Sequence, residues 1–292
     1  MISRFFLTIL MNSFIYAVKS INELSSSLLL DISILQSWVR IYISNLLMNP
    51  KCFFLFENNR ACTIGVKLMK ITSTIHGIQG RGFDSNHYIL VDDQKHMTLI
   101  DTGHDENRGY VLEYIRNKIK ADPKDIDNII LTHVHVDHSG GLASLVEKYG
   151  SKVHVFEMEA DAIENGDLTI TLAGMFKGYF DKTKVDVRLK EGDIFSFAGH
   201  DFKVLLTPGH TSGSICLHDE QQKILISGDT VFANGSFGRV DFPTGSKDAL
   251  KKSLATLNEL DIEYLLPGHM EWVSGGANQH LEKSARFVNM MF

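Results

Sequence analysis

The sequence of 292 residues has little cysteine: Cys52, Cys62 and Cys216 form no CxxC pair and cannot all pair off. A disulfide framework is therefore excluded, and reduced thiols in a reducing compartment are expected. Blocks of Lys and Arg are also missing, and Lys+Arg 29 against Asp+Glu 35 leaves a formal charge of −6. A mildly acidic chain of this kind is poorly suited to phosphate backbones, so no nucleic-acid partner is expected. No linker rich in Pro, Gly or Ser divides the chain, and no repeat of solenoid period occurs. The composition, 44% hydrophobic, 22% charged and 10% aromatic, excludes disordered, collagenous and low-complexity chains. At roughly 100–200 residues per domain, the length allows one large domain or two small ones.

The first 68 residues lack what the rest is rich in. None of the 13 histidines precedes His76, and of 23 glycines only Gly65 falls there. That stretch carries net charge +3 against −6 for the whole chain, so the remainder is net −9. The apolar run Phe5 to Val18 contains Thr8, Asn12 and Ser13 and is shorter than the about 20 residues a spanning helix needs. Arg4 before it loosely resembles a signal peptide, but no clean small-x-small cleavage site follows. A second run, Leu28 to Met48, is broken by Asp31, Gln36 and Arg40. It reads as an amphipathic helix on a membrane surface or as an ordinary packed helix. Met69-Lys70-Ile71 is a natural start for a strand. Residues 1–68 are thus expected to be an apolar extension, either outside the native protein through an upstream start codon, or a packing or membrane-associating segment. Residues 69–292 are expected to be the catalytic domain, in the cytoplasm, with membrane association through 1–68 as the lesser alternative. The oligomeric state stays open.

From Met69 onward, short β runs alternate with turns and helices. Strands are expected at Ile71–His76, His87–Val91, Met97–Ile100, Asn128–Leu131, Lys152–Phe156, Val185–Leu189, Phe202–Leu206, Ser214–His218, Lys223–Ile226 and Glu263–Leu266. Helices are expected at Arg108–Lys120, Gly141–Tyr149, Lys247–Leu257 and Asn278–Met290, and through most of Glu157–Lys184. The last of these holds Met175, Phe176, Tyr179 and Phe180, read as core packing, with a lid or pocket wall as the other reading. Strand-rich halves flanked by helices predict a layered α/β sandwich.

The densest chemistry is Thr132-His133-Val134-His135-Val136-Asp137-His138-Ser139-Gly140-Gly141. Residues two apart in an extended segment point the same way, so His133 and His135 can reach one ion together. Asp137 and His138 follow at a strand-to-helix turn, which redirects them to a second position. Imidazole suits zinc or iron, and a carboxylate completes the set. A solvated polar loop would not concentrate four ligand-type residues in six positions beside an apolar strand. Further on, His210 lies in the turn Thr207-Pro208-Gly209-His210-Thr211-Ser212-Gly213-Ser214, Asp229 ends the strand before Thr230, and His269 follows Leu265-Leu266-Pro267-Gly268. Together these positions supply five histidines and two aspartates.

This ordered set resembles the metallo-β-lactamase superfamily, whose HxHxDH motif is matched in full by His133-Val134-His135-Val136-Asp137-His138. The resemblance runs from Met69 to about His280 and includes the turn Ile100-Asp101-Thr102-Gly103. It implies a four-layer αββα sandwich with a metal site at one edge. By the same resemblance, His133, His135 and His210 would hold a first metal, and Asp137, His138 and His269 a second. Asp229 would bridge the two, Asp137 would also serve in catalysis, and Asp101 would orient a ligand without binding metal. Two divalent ions are implied, zinc first, with iron or manganese accepted by the same donors.

Two cations about 3.5–4 Å apart bring a shared water close to ionisation at neutral pH, and that water attacks a carbonyl or phosphoryl centre. No Ser-His or Cys-His pair is needed, so Ser139, Ser212 and Cys216 are read as structural. Within the superfamily, Thr207 to Ser214, Gly228-Asp229-Thr230-Val231-Phe232 and Ser236-Phe237-Gly238-Arg239-Val240-Asp241 look most like glyoxalase II and its smaller thioesterase relatives. A thiol of pKa about 8.5 departs as thiolate without a strong general acid, which suits a thioester. The expected activity is therefore hydrolysis of a small thioester or ester. Only 23 residues follow His269, leaving no room for the helical domain by which glyoxalase II grips glutathione. Arg239 reads equally as a contact for an anionic substrate group or as a surface ion pair. A lactonase of the same fold, or a persulfide dioxygenase with one iron on His133, His210 and Asp229, are the alternatives.

Overall fold

Strand β3 (His87–Val91) is buried along its whole length, and its alternation decides the architecture. Ile89 and Val91 enter one apolar cluster, while Tyr88 and Leu90 enter another. A strand with two dry faces must be covered on both sides. The computed structural model, which describes residues 68–292, shows how. The extension expected at 1–68 lies outside the described residues except for Leu68. Among the described residues, no helix is long and apolar enough to cross a membrane.

One sheet has the order β1 (Leu68–Lys70), β2 (Ile75–Ile78), β3, β4 (Met97–Ile100), β5 (Ile126–Ile130), β6 (Lys152–Phe156), β7 (Val187–Leu189). The other runs β13 (Val273–Ser274), β12 (Tyr264–Pro267), β11 (Ile224–Gly228), β10 (Ile215–Asp219), β9 (His200–Leu206), β8 (Ile194–Phe197). Pairs β4–β5, β5–β6, β6–β7 and β11–β12 are parallel; the remaining neighbours are antiparallel.

Between the sheets, Leu90, Ile100 and Ile130 meet Phe202, Val204, Ile215, Leu217, Ile224 and Ile226. The outer face of the first sheet is covered by α1 (Arg108–Tyr114, continued by a π turn to Ile119), α3 (Leu142–Tyr149) and α4 (Glu157–Asn165), through Val111, Ile115, Leu142, Leu145, Ala160 and Ile163. A one-turn helix α2 (Val136–Ser139) precedes α3, and a short α5 (Ala173–Phe176) follows α4. The outer face of the second sheet carries α6 (Lys247–Leu257) and α7 (Asn278–Met291), whose Leu250, Leu254, Leu281 and Val288 pack on Cys216, Leu225 and Leu265. The period-2 alternation of β10 and β11 is strict: Leu217 and Ile226 face the other sheet, Cys216 and Leu225 the helices. The result is the expected αββα sandwich.

Three expectations need correction. Of the first expected strand, Ile71–His76, only Ile75 and His76 are strand, at the start of β2; residues 71–74 are a turn from β1, closed by backbone bonds from Ile71 N and Thr72 N to the Ile75 carbonyl. The helix expected over Glu157–Lys184 stops at Asn165, because Gly166 takes the left-handed conformation that caps a helix (φ 67°) and Asp167 Oδ1 accepts from Thr169 N and Ile170 N. Of the aromatic patch, Met175, Phe176 and Tyr179 are 57–68% exposed and take no part in the core, whereas Phe180 packs partly against it. Strand β8, with its exposed alternate residues, was unanticipated.

Phe202 is fully buried between the sheets. Phe202→Ala is expected to cost about 3–5 kcal/mol of unfolding free energy, read from urea denaturation, as large-to-small changes in packed cores do.

Candidate metal centre

In open sheets, sites form beyond the carboxyl ends of parallel strands, and these ends carry the predicted residues here. Asp101 follows β4, the histidine motif follows β5, Asp229 follows β11 and His269 follows β12 by one intervening glycine. Gly228 pairs with Pro267 in the β11–β12 register, which sets Asp229 and His269 side by side. His210 comes from the turn joining β9 to β10. After β5 the alternation continues: Val134 is buried in the helix-covered cluster, so His133 and His135 project the other way. The chain then enters α2, where each residue turns by about 100° and aims Asp137 and His138 elsewhere.

The seven predicted residues converge. His133, His135 and His210 each offer a nitrogen within 4.8 Å of the others, with His135 Nδ1 and His210 Nε2 only 2.9 Å apart. Asp137, His138 and His269 form a second group; His269 Nε2 lies 3.1 Å from Asp137 Oδ2 and 3.3 Å from His138 Nε2. Asp229 stands between the groups, with Oδ2 3.5 Å from both His210 Nε2 and His269 Nε2 and Oδ1 3.3 Å from His138 Nε2.

Neighbours fix the rings. His138 Nδ1 donates to Asp101 Oδ2 (2.8 Å), and His210 Nδ1 donates to the Arg239 carbonyl (2.6 Å), leaving Nε2 of each ring turned inward. Asp101, whose φ of 59° is strained for a residue with a side chain, also accepts from Thr132 N and Thr132 Oγ1, both at 2.8 Å. At the same time His133 Nε2, His135 Nε2 and Asp229 Oδ1 are buried with no hydrogen-bond partner. Orphaned polar atoms cost about 1–3 kcal/mol each. Three of them in one cluster of imidazoles and carboxylates is a donor set that fits divalent cations.

The electrostatics agree. Burial, helped by repulsion from neighbouring histidines, holds His133 well below the ordinary histidine range and brings His135 down to about 3. Both rings are therefore neutral near pH 7, as ligation requires. Burial would also lower His138 and His269, yet the carboxylates of Asp229 and Asp137, joined by Asp101 at His138, raise both. Burial would raise the carboxyls, but the neighbouring histidines override it, bringing Asp137 down to about 2 and Asp229 well below the usual carboxylate range.

Glycines beside these residues make this density possible. A Cβ on Gly268 would sit 2.3 Å from Asp229 Oδ1 and 2.7 Å from His138 Cε1. The adjacency of glycine and histidine in Pro267-Gly268-His269 carried that signal. Asn86 had none: its Nδ2 donates at 2.9 Å to the carbonyls of Pro267 and Met270, bracketing His269 from nearly two hundred residues away. Side-chain nucleophiles are poorly placed. Burial pushes the Cys216 thiol up to about 11, and Ser139 Oγ is committed to the Val134 carbonyl at 2.8 Å. Arg239 pairs with Asp241 and lies 4.3 Å over the Phe242 ring, which stands nearly perpendicular to the His135 ring.

A family model described as the metallo-beta-lactamase superfamily matches residues 81–269. The chain belongs to that superfamily. It is 35% identical over 199 residues, 66% of this chain and 91% of the relative, to a probable metallo-hydrolase of Methanocaldococcus jannaschii. It is 27% identical over 219 residues to the hydroxyacylglutathione hydrolase GloC of Haemophilus influenzae, covering 71% of this chain and 94% of that one. Over 181 residues, 55% of this chain and 61% of the relative, it is 31% identical to the human acyl-coenzyme A thioesterase MBLAC2. Among solved structures it resembles TTHA1623 in a di-iron-bound form, at TM-score 0.56 and 29% identity, over 72% of this chain and 96% of that one.

Gly268→Ala is expected to displace the Asp229 carboxylate and lower bound metal, measured by elemental analysis, while the far-ultraviolet circular dichroism stays unchanged.

Proposed function

We propose that this chain is a binuclear metal-dependent hydrolase of thioesters. The observation that carries the reading is Asp229, set between two histidine groups and within 3.5 Å of nitrogens from both. His133, His135 and His210 would hold one cation, Asp137, His138 and His269 the other, and Asp229 both. Two divalent cations supply an activated water and a Lewis acid for the substrate carbonyl. The chain's own residues do the rest. Asp101 and the Arg239 carbonyl keep His138 and His210 in one tautomer, and Asp137 faces the second group beside His269.

A thioester fits a site with no strong acid provided by a side chain, because a thiolate leaves unaided near its pKa of about 8.5. Two of the relatives described above are named for hydrolysis of acyl-glutathione or acyl-coenzyme A, which supports the class and leaves the acyl and thiol halves to assay. The donors accept zinc, iron or manganese; zinc is proposed, and metal analysis decides.

Asp229→Ala and His135→Ala are each expected to lower metal per chain and to cut S-lactoylglutathione turnover beyond the about 10–100-fold that loss of an outer partner costs. Wild-type turnover in either variant sinks the binuclear reading. Equal rates under nitrogen and in air are expected of a hydrolase. One iron per chain with turnover of a persulfide only in air would make the protein an oxygenase.

The proposal confines the chemistry to residues 69–292. A chain lacking residues 1–68 is expected to keep its metal content and turnover, compared directly with the full chain.

A further inference from the structure

Two segments bring the first histidine group together, and neither is regular. Leu131 N still bonds to the His154 carbonyl of β6; beyond it the chain leaves the sheet, and its amides bond to partners drawn from several elements, Thr132 N to Asp101 Oδ1 and Val136 N to the Thr171 carbonyl. The turn from Thr207 to Ser214 closes on itself through Thr207 N to the Ser214 carbonyl. Between them stands Glu159 of α4, 2% exposed and absent from the ligand set. Its Oε2 accepts from Val134 N (3.1 Å), the amide between His133 and His135. Its Oε1 accepts from Gly213 N (3.2 Å), three residues beyond His210.

A buried acid is costly unless its oxygens are satisfied, and here each receives a backbone N–H from a different loop. The fit is close on the Gly213 side, where a Cβ would lie 2.5 Å from Glu159 Cγ. A carboxyl group offers an acceptor at each oxygen; an amide of equal size presents an NH₂ to one of the two donors.

We propose that Glu159 is a positioning residue that clips the His133–His135 segment to the His210 turn and so sets the geometry of the first cation site. This rests on the metal-centre reading above. Loss of the clip frees the two loops from each other while leaving all seven ligands in place. The effect should therefore fall on cation affinity and ligand geometry more than on the fold.

The test uses the full chain stripped of metal by a chelator and titrated with cobalt(II), following visible absorption and bound cobalt. Glu159→Ala is expected to weaken cobalt uptake about 10–100-fold, the range found when outer-shell partners of metal ligands are removed, and to shift the visible bands. Glu159→Gln, which keeps the volume and one acceptor, should fall between that variant and the wild type and settles the matter if the alanine variant does not fold. Wild-type affinity and an unchanged spectrum in Glu159→Gln and in any folded Glu159→Ala overturn the proposal alone. A wild-type chain that takes up no cobalt overturns the reading of the centre itself, and this proposal with it.

Discussion

The structure turns on a buried balance of charge: three carboxylates, Asp101, Asp137 and Asp229, set among five imidazoles at the join of two sheets. Neither sign is tolerable there alone, since an unpaired buried ion costs several kcal/mol or more. Placed together, the groups push each other apart in proton affinity. His133 and His135 stay neutral, while His138 and His269 are drawn upward by the acids. Removing a single carboxylate would leave imidazoles whose ring centres lie about 4–5 Å apart with one acid fewer to offset them.

Much of this was legible in the sequence because it is local. The HxHxDH spacing, two positions apart in extended chain and then a turn of helix, determines directions without reference to any other strand. The short runs His87–Val91, Lys152–Phe156 and Lys223–Ile226 marked strands, and strand-rich halves flanked by helices pointed to layers. Legibility failed where the deciding contact is distant or the pattern mixed. Glu159 reads as one more acid on an amphipathic helix until Val134 and Gly213 arrive from other parts of the chain. Strand β8 alternates exposed with half-buried residues and offers little contrast to read. The Met175–Tyr179 segment has core-like composition, but Gly166 and the Asp167 turn break the helix that would have carried it inward.

Three left-handed residues adjoin the centre: Asp101 at φ 59°, Gly228 at φ 47° and Gly209 at φ 148°. Glycine adopts such backbone freely, whereas for Asp101 it persists only where surrounding bonds over-determine it. Around Asp101 those bonds are the Thr132 amide and hydroxyl and the His138 ring; around Gly209 they include Ser246 N to its carbonyl and the close face of Leu250. Rigidity of the loops is thus bought by the two sheets behind them.

That division of labour between sheets has a consequence for how the protein is made. His269 comes 131 positions after His138, and at roughly 5–20 residues per second the gap lasts on the order of ten seconds. When the histidine motif leaves the ribosome, none of His210, Asp229 and His269 has been synthesised. The motif then meets cellular cations as a partial chelator, with Asp137 as its nearest acid and without the carboxylate that later stands between the groups. On the proposed reading, cofactor loading in the cell is a matter of order as well as affinity, because the second sheet's donors can act only on what the first has kept free or already captured.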